Sequence, residues 1–337
     1  IISLLIVSSS WLYSQKEMTK LVQKNENNRT FRYDKSSIYG RGLLMDNDRL
    51  FISNSDGSVH YYNTSSNSNL LIFKLNSIDE LRDIEKSGDH LIAMHSGADG
   101  KLVKIGLDGT NKIIEYPEWE GVFLDGMDFI GNNGFMMGDP TLGKFNLFQT
   151  TDQGETWKRC DGVIDAKPGE AGFAASGTNV QMLNPQTFAF ISGGSISRFF
   201  KSTDNGKTWL KVVLPYYPGE SSGAYSMCFS DEKRGVIVGG DYLGPNLKMN
   251  TCFFTEDGGE SWFNAETTTR GYRSCAYFVN GVFYACGPNG IDYSTNHGID
   301  WQPFANGSFF SLTSSPLQLI ATAKNGTIEF FDLIKRK

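Results

Sequence analysis

Apolar residues in this chain come in short runs, and turn residues break them at close intervals. Leu50-Phe51-Ile52-Ser53 is followed by the turn Ser55-Asp56-Gly57, then by Val59-His60-Tyr61-Tyr62 and Leu70-Leu71-Ile72-Phe73. The same rhythm returns near the other end in Phe309-Phe310-Ser311-Leu312, Leu319-Ile320-Ala321-Thr322 and Thr327-Ile328-Glu329-Phe330-Phe331. Runs of four to eight residues bounded by Gly, Asn and Asp read as strands, and no long stretch has the 3.6-residue period of an amphipathic helix. The pattern predicts an all-β protein built from many hairpins.

One turn recurs. Thr150-Thr151-Asp152-Gln153-Gly154-Glu155-Thr156-Trp157 reappears as Ser202-Thr203-Asp204-Asn205-Gly206-Lys207-Thr208-Trp209 and as Thr255-Glu256-Asp257-Gly258-Gly259-Glu260-Ser261-Trp262. A worn copy, Ser294-Thr295-Asn296-His297-Gly298-Ile299-Asp300-Trp301, follows. The letters have physical reasons. Asp folds its carboxylate back onto backbone N–H groups, Gly takes a positive φ, and Trp buries a large ring between repeats. Asp152, Asp204 and Asp257 are therefore read as turn residues rather than catalytic carboxylates.

The motif [ST]-x-D-x-G-x-[TS]-W resembles the Asp-box, or BNR, repeat of sialidase-like β-propellers. That resemblance implies blades of four antiparallel strands around an axis. The turns cut the chain into blades at about 37–75, 80–116, 121–160, 170–215, 222–267, 271–304 and 308 onward. The last offers three strands only, and the segment 18–33 would supply its missing outer strand and close the ring. Seven blades result, and the poor boxes of the first two leave six or eight open. Residues 15–337 would form this single seven-bladed propeller.

The boxed tryptophans are 52, 53 and then 39 residues apart, so extra residues fall in loops. Residues 163–169, 216–221 and 241–247, the last including Asp241 and Tyr242, should all open on the face opposite the boxes. Laid over one another, the inner strands begin Gly40-Arg41-Gly42, Leu81-Arg82-Asp83, Leu124-Asp125-Gly126, Glu170-Ala171-Gly172, Gly223-Ala224-Tyr225, Tyr272-Arg273-Ser274 and Ser308-Phe309-Phe310. This places Arg41, Arg82 and Arg273 at one end of the axis. Forked guanidinium groups there would bind a carboxylate, a phosphate or an acidic protein tail. The competing expectation is that each Arg is taken up by Asp83, Asp125 or Glu170. The candidate ligand-binding set is Arg41, Arg82, Asp125, Glu170, Tyr225, Asp241, Tyr242 and Arg273.

A narrower resemblance rests on Arg41-Gly42, Leu81-Arg82-Asp83-Ile84, Gly138-Asp139-Pro140, the run from Gly169 to Gly177, and Gly239-Gly240-Asp241-Tyr242. These look like motifs of exported bacterial Asp-box propellers described as similar to photosystem II assembly/stability factors. The resemblance covers about 37 to the end and implies a seven-bladed propeller acting as a binding scaffold; the arginines at its axis add the expectation of an acidic ligand, glycan or protein segment. The alternative is a glycoside hydrolase of sialidase type, with Tyr225 as nucleophile, Glu170 as its partner and Asp125 as acid/base. The Arg-Ile-Pro signature of sialidases is absent, since Arg41 is followed by Gly42 and Leu43.

Composition narrows the rest. The formal charge of −6 disfavours nucleic acid as a partner. The sequence has no dinucleotide-type Gly loop, no haem motif and no Cys/His cluster, so no cofactor and no metal are expected. Four histidines are scattered. Five cysteines leave at least one thiol unpaired, and Cys275 and Cys286 should face each other across the Asn280-Gly281 turn at a position that suits a disulfide poorly. Residues 1–14 have the short apolar core of a secretory signal. The expected product is an exported, monomeric propeller without a membrane span.

Overall fold

The computed structural model describes residues 28–34, 37–75 and 79–335. Residues 1–14, expected above to be an export signal, and most of 18–33 lie outside them. Twenty-eight of the strands form seven four-stranded antiparallel blades. Blade 1 runs from Gly40–Asp46 through Arg49–Asn54 and Ser58–Asn63 to Ser68–Lys74. Blade 2 covers Glu80–Ser87 to Asn111–Ile114, blade 3 Leu124–Ile130 to Lys158–Arg159, and blade 4 Val180–Asn184 to Leu210–Leu214. Blade 5 covers Ser222–Phe229 to Phe263–Asn264 and blade 6 Cys275–Val279 to Gln302–Ala305. Blade 7 holds Phe309–Ser314, Gln318–Ala323 and Thr327–Asp332, and its outer strand is Arg29–Arg32. Thr30 pairs with Glu329 and Phe31 with Ile328, so the two ends of the described chain share one sheet. The ring closes as the strand count required. Among the described residues no helix is long and apolar enough to cross a membrane.

Why the middle strands read as unbroken apolar runs is now plain. A blade is covered on both faces, as a parallel sheet is in other folds. In Arg49–Asn54, Leu50 and Ile52 pack with Ile320, Ile328 and Phe330 of blade 7. Phe51 between them points the other way, to Leu81, Ile84 and Leu91 of blade 2. Seven such clusters, one between each pair of neighbouring blades, make up the core.

The repeated turns hold themselves together and tie blade to blade. Thr150 Oγ1 donates to Asp152 Oδ1 at 2.7 Å, and the same oxygen accepts the Thr156 N–H at 2.9 Å. Ser202, Asp204 and Thr208 repeat this at 2.8 and 2.9 Å. In the worn copy the amide oxygen of Asn296 replaces the carboxylate, accepting from Ser294 Oγ and the Asp300 N–H. Each tryptophan reaches the preceding blade: Trp157 packs with Ile92 and Met94, and Trp301 with Val236 and Val238. Gly259 shows why the fifth letter is fixed. Its φ is +93°, and a Cβ would lie 2.3 Å from Phe199 Cε1. Gly259→Ala is expected to cost about 1–2 kcal/mol from backbone strain plus crowding. Urea denaturation checks it; an unchanged midpoint would mean that the turn relaxes freely.

The sequence-based layout needs one correction in blade 4. Its inner strand is Val180–Asn184, not the segment beginning at Glu170. Glu170–Ala171 pairs instead with Gly193–Gly194, which continues the inner edge of blade 5 through Gly193 and Gly223. Residues 172–178 are thereby left to pass across one mouth of the axis.

Candidate functional site

The innermost strand of each blade has no fifth strand beside it, and its free N–H groups need acceptors. Neighbouring blades supply them. Asp83 Oδ2 accepts the Met127 N–H at 2.8 Å, and Asp128 Oδ2 accepts that of Met182 at 2.7 Å. Gln181 Oε1 accepts from Phe229, and Ser226 Oγ from Ala276. The axis is therefore lined with short polar side chains.

At one end of the axis a shared irregularity turns these strands toward a common space. The ladder between the first and second strands skips a residue at Arg41, at Arg82, at Asp125 and at Tyr225. In blade 7 it skips Phe310 and Ser311. In blade 6 both Ser274 and Cys275 face Cys286: Cys275 is its ladder partner, and the Ser274 N–H donates to its carbonyl. Each skip is a β-bulge, which re-aims the extra side chain away from the sheet. Arg41, Arg82, Asp125, Tyr225, Ser274 and Phe310 all line one cavity of about 620 Å³. Blade 4 lacks a bulge residue in this set, and Ala171 to Ala175 take its place in the wall.

The cavity is aromatic with a few charged groups. Phe173 stacks on Tyr225 at 4.4 Å between centroids, and Tyr272 meets Tyr225 edge-on at 4.7 Å. Tyr242, half exposed at the rim, lies edge-on to Tyr225 at 6.4 Å. Tyr39 stacks on Phe310, with Arg41 above the tyrosine ring. Glu80 carries both arginines: Arg41 Nη2 lies 3.0 Å and Arg82 Nε 2.8 Å from Glu80 Oε2. Arg82 Nη1 also donates to the Ala174 carbonyl at 2.8 Å. One carboxylate oxygen between two guanidinium groups leaves positive charge at the mouth. Neither Asp83, Asp125 nor Glu170 takes that role.

Two further carboxyl groups sit in the wall. Asp139 Oδ1 accepts the Gly172 N–H at 2.8 Å, and burial raises the group to about 6. Asp125 is 0 % exposed. Burial, and then the Asp139 charge, push it well above the carboxylate range, with Arg82 pulling the other way. The Ala174 amide approaches Asp125 without closing a hydrogen bond of normal geometry, and neither carboxyl oxygen has another such partner.

Three residues named from the sequence lie elsewhere. Arg273 is 0 % exposed and locked to Asp292 through Nε and Nη2. Its neighbour Ser274 holds the bulge position, so the inner-strand alignment was one residue out in blade 6. Blade 5 has the same offset, since Tyr225 rather than Ala224 is the bulged residue. Counting back from the Asn280-Gly281 turn through the Cys275–Cys286 pair would have found Ser274. Glu170 accepts from Arg198 Nε at 2.8 Å and Nη2 at 2.6 Å and from Ser192 Oγ, a buried structural pair. Asp241 accepts from Ser221 Oγ at 2.6 Å and the Leu243 N–H at 2.9 Å, which shapes its own loop. Asp139, Phe123, Phe173 and Tyr272 were missed as lining residues, because their loops meet only in three dimensions.

Tyr225 Oη donates to the Ser221 carbonyl at 2.8 Å, and burial raises its pKa far above that of a free phenol. Cys275 and Cys286 are directly opposed, buried free thiols; Cys160 and Cys252 are free and buried in other blades. Among the described residues no group of three or more His, Cys, Asp or Glu side chains could hold a metal ion.

No family model and no curated protein matches this chain. Solved structures do match in fold. "YCF48 bound to D1 peptide" superposes with a TM-score of 0.63 at 12% identity over 92% of this chain and 96% of that one. The WD40 β-propeller domain of Doa1 gives 0.63 at 9% identity, covering 91% and 98%. The computationally designed Ika8 protein gives 0.53 at 12% identity, covering 89% and 97%. At such identities the likeness is one of architecture, and the architecture is a seven-bladed β-propeller.

Proposed function

We propose that this protein is an exported, monomeric Asp-box propeller that acts as a binding scaffold, holding an acidic ligand or protein segment at the axial cavity. The observation that carries this reading is the convergence of the bulged residues, with Arg41 and Arg82 sharing a single carboxylate oxygen at the mouth. An incoming carboxylate can be received by guanidinium N–H groups that Glu80 leaves free, with aromatic walls excluding water beside them. The likeness in fold to YCF48 bound to D1 peptide favours a protein segment over a small anion.

The glycosidase alternative gains nothing from the geometry. Glu170 is committed to Arg198 and does not line the cavity, and Tyr225 is held as a neutral phenol. A tyrosine nucleophile needs a nearby carboxylate to take its proton.

An array of short acidic peptides tests the scaffold reading. Arg41→Ala with Arg82→Ala is expected to weaken capture of acidic peptides by about tenfold or more. The thermal transition should be nearly unchanged, because Glu80 is partly solvated. Captured peptides should also be released by salt. Equal capture by wild type and the double variant would defeat the proposal.

A further inference from the structure

The cavity holds a feature that an anion site does not require. Asp125 is completely buried, lines the cavity, and has two oxygens without a hydrogen-bond partner of normal geometry. Buried polar atoms of this kind are uncommon in folded proteins and call for an explanation. Asp139 stands beside it, with one oxygen fixed by the Gly172 N–H. Gly172 packs so closely over Asp125 that a Cβ there would lie 2.5 Å from the carboxyl group. The backbone therefore confines the carboxyl group without satisfying it.

We propose that the cavity takes a zwitterionic ligand, a short peptide or amino-acid-like segment whose carboxylate meets Arg41 and Arg82 and whose protonated amine meets Asp125 and Asp139. This rests on the acid-binding reading above and narrows it. A neutral hydroxyl could satisfy Asp125 alone, but it would leave two neighbouring carboxyl groups sharing one space. An ammonium group has three donors and a full positive charge, so it answers both. Tyr225, Tyr272 and Phe173 also line the cavity, and aromatic rings attract cations.

Charge balance fixes what accompanies binding. Burial favours the protonated form of Asp125 while no ligand is bound. The arriving ammonium replaces that proton, which leaves to solvent, and no covalent bond changes. The charged groups around the pair are Arg82, Arg41 and Glu80.

Calorimetry with four defined probes tests this. Glycylglycine and N-acetylglycyl-lysine carry both charges. N-acetylglycylglycine and N-acetylglycyl-norleucine carry the carboxylate alone. Wild type is expected to prefer at least one charged-amine probe over its blocked counterpart by about tenfold. Its binding heat should vary with the buffer, reporting proton release. Asp125→Asn, nearly isosteric, should erase the preference and leave affinity for the blocked acids intact; its melting curve confirms folding. Equal affinity within both probe pairs overturns the zwitterion proposal. So does a preference that survives in both Asp125→Asn and Asp139→Asn. In either case the acid reading stands if Arg41→Ala with Arg82→Ala weakens all acids. Undiminished binding by that double variant, or no saturable binding of any probe at millimolar concentration, overturns both.

Discussion

Asp292→Ala is expected to cost about 3–5 kcal/mol, a large part of the stability of an ordinary domain. Asp292 is 1 % exposed and serves two arginines. Oδ2 accepts from Arg273 Nε at 3.0 Å and from its Nη2, and Oδ1 accepts from Arg270 Nε at 2.6 Å. The Arg270 backbone N–H is also satisfied by this carboxylate, at 2.9 Å. Removing it strands the fully buried Arg273 charge, which water cannot reach. Arg273→Met should cost much less, because Asp292 keeps Arg270 and no charge is orphaned. Urea denaturation of the two variants gives the comparison. Equal, small losses would mean that Arg273 finds another partner, and would revise the account of this blade.

The second large effect is on the pH dependence of stability. Asp83 is buried, and its carboxyl group is raised from the usual 3.8 to about 7, first by burial and then by the neighbouring Asp128 charge. Asp128 and Asp139 are raised to about 6, again mainly by burial, and Glu85 is raised as well. A carboxyl group with a folded pKa above its unfolded one favours the fold while it holds its proton. That contribution is complete below the unfolded value and is lost as pH rises through the folded value. For Asp83 the change corresponds to roughly 4 kcal/mol. Stability should therefore fall between about pH 5 and about pH 8.

Two opposing sets of groups limit this trend. Buried His60, held below its ordinary value mainly by desolvation, favours the fold at higher pH and works against the trend. Below about pH 4, depressed groups such as Asp46, Asp152 and Asp257 lose their stabilising bonds, and the curve should turn down. Chemical denaturation across this range measures the profile. Asp83→Asn should flatten its upper limb; a profile that climbs from pH 5 to pH 8 would contradict the electrostatics of the axis.

The axis also shows where inference from sequence stopped. Aligned strand starts place Arg41, Arg82 and Asp125 at one mouth, with Tyr225 one position further along its strand, and the structure brings all four around one cavity. Arg273 failed because side chains in a strand alternate faces, so a one-residue slip exchanges wall for core. Glu170 failed because its segment crosses to the neighbouring blade, a pairing set by contacts far apart in the chain.

The sequence by itself determined the turns, the strands between them, the packing of each boxed tryptophan between blades and the need for an N-terminal strand to finish the ring. Those features follow from local chemistry: a hydroxyl, a carboxylate and a glycine close each turn within eight residues, and apolar runs mark sheets covered on both faces. Only the tertiary structure decided which side chains face the axis. That choice is made by bulges, by Glu80 lying between two arginines, and by a strap from one blade covering Asp125. Each depends on distances between residues that the chain keeps far apart, and composition and spacing do not encode those distances.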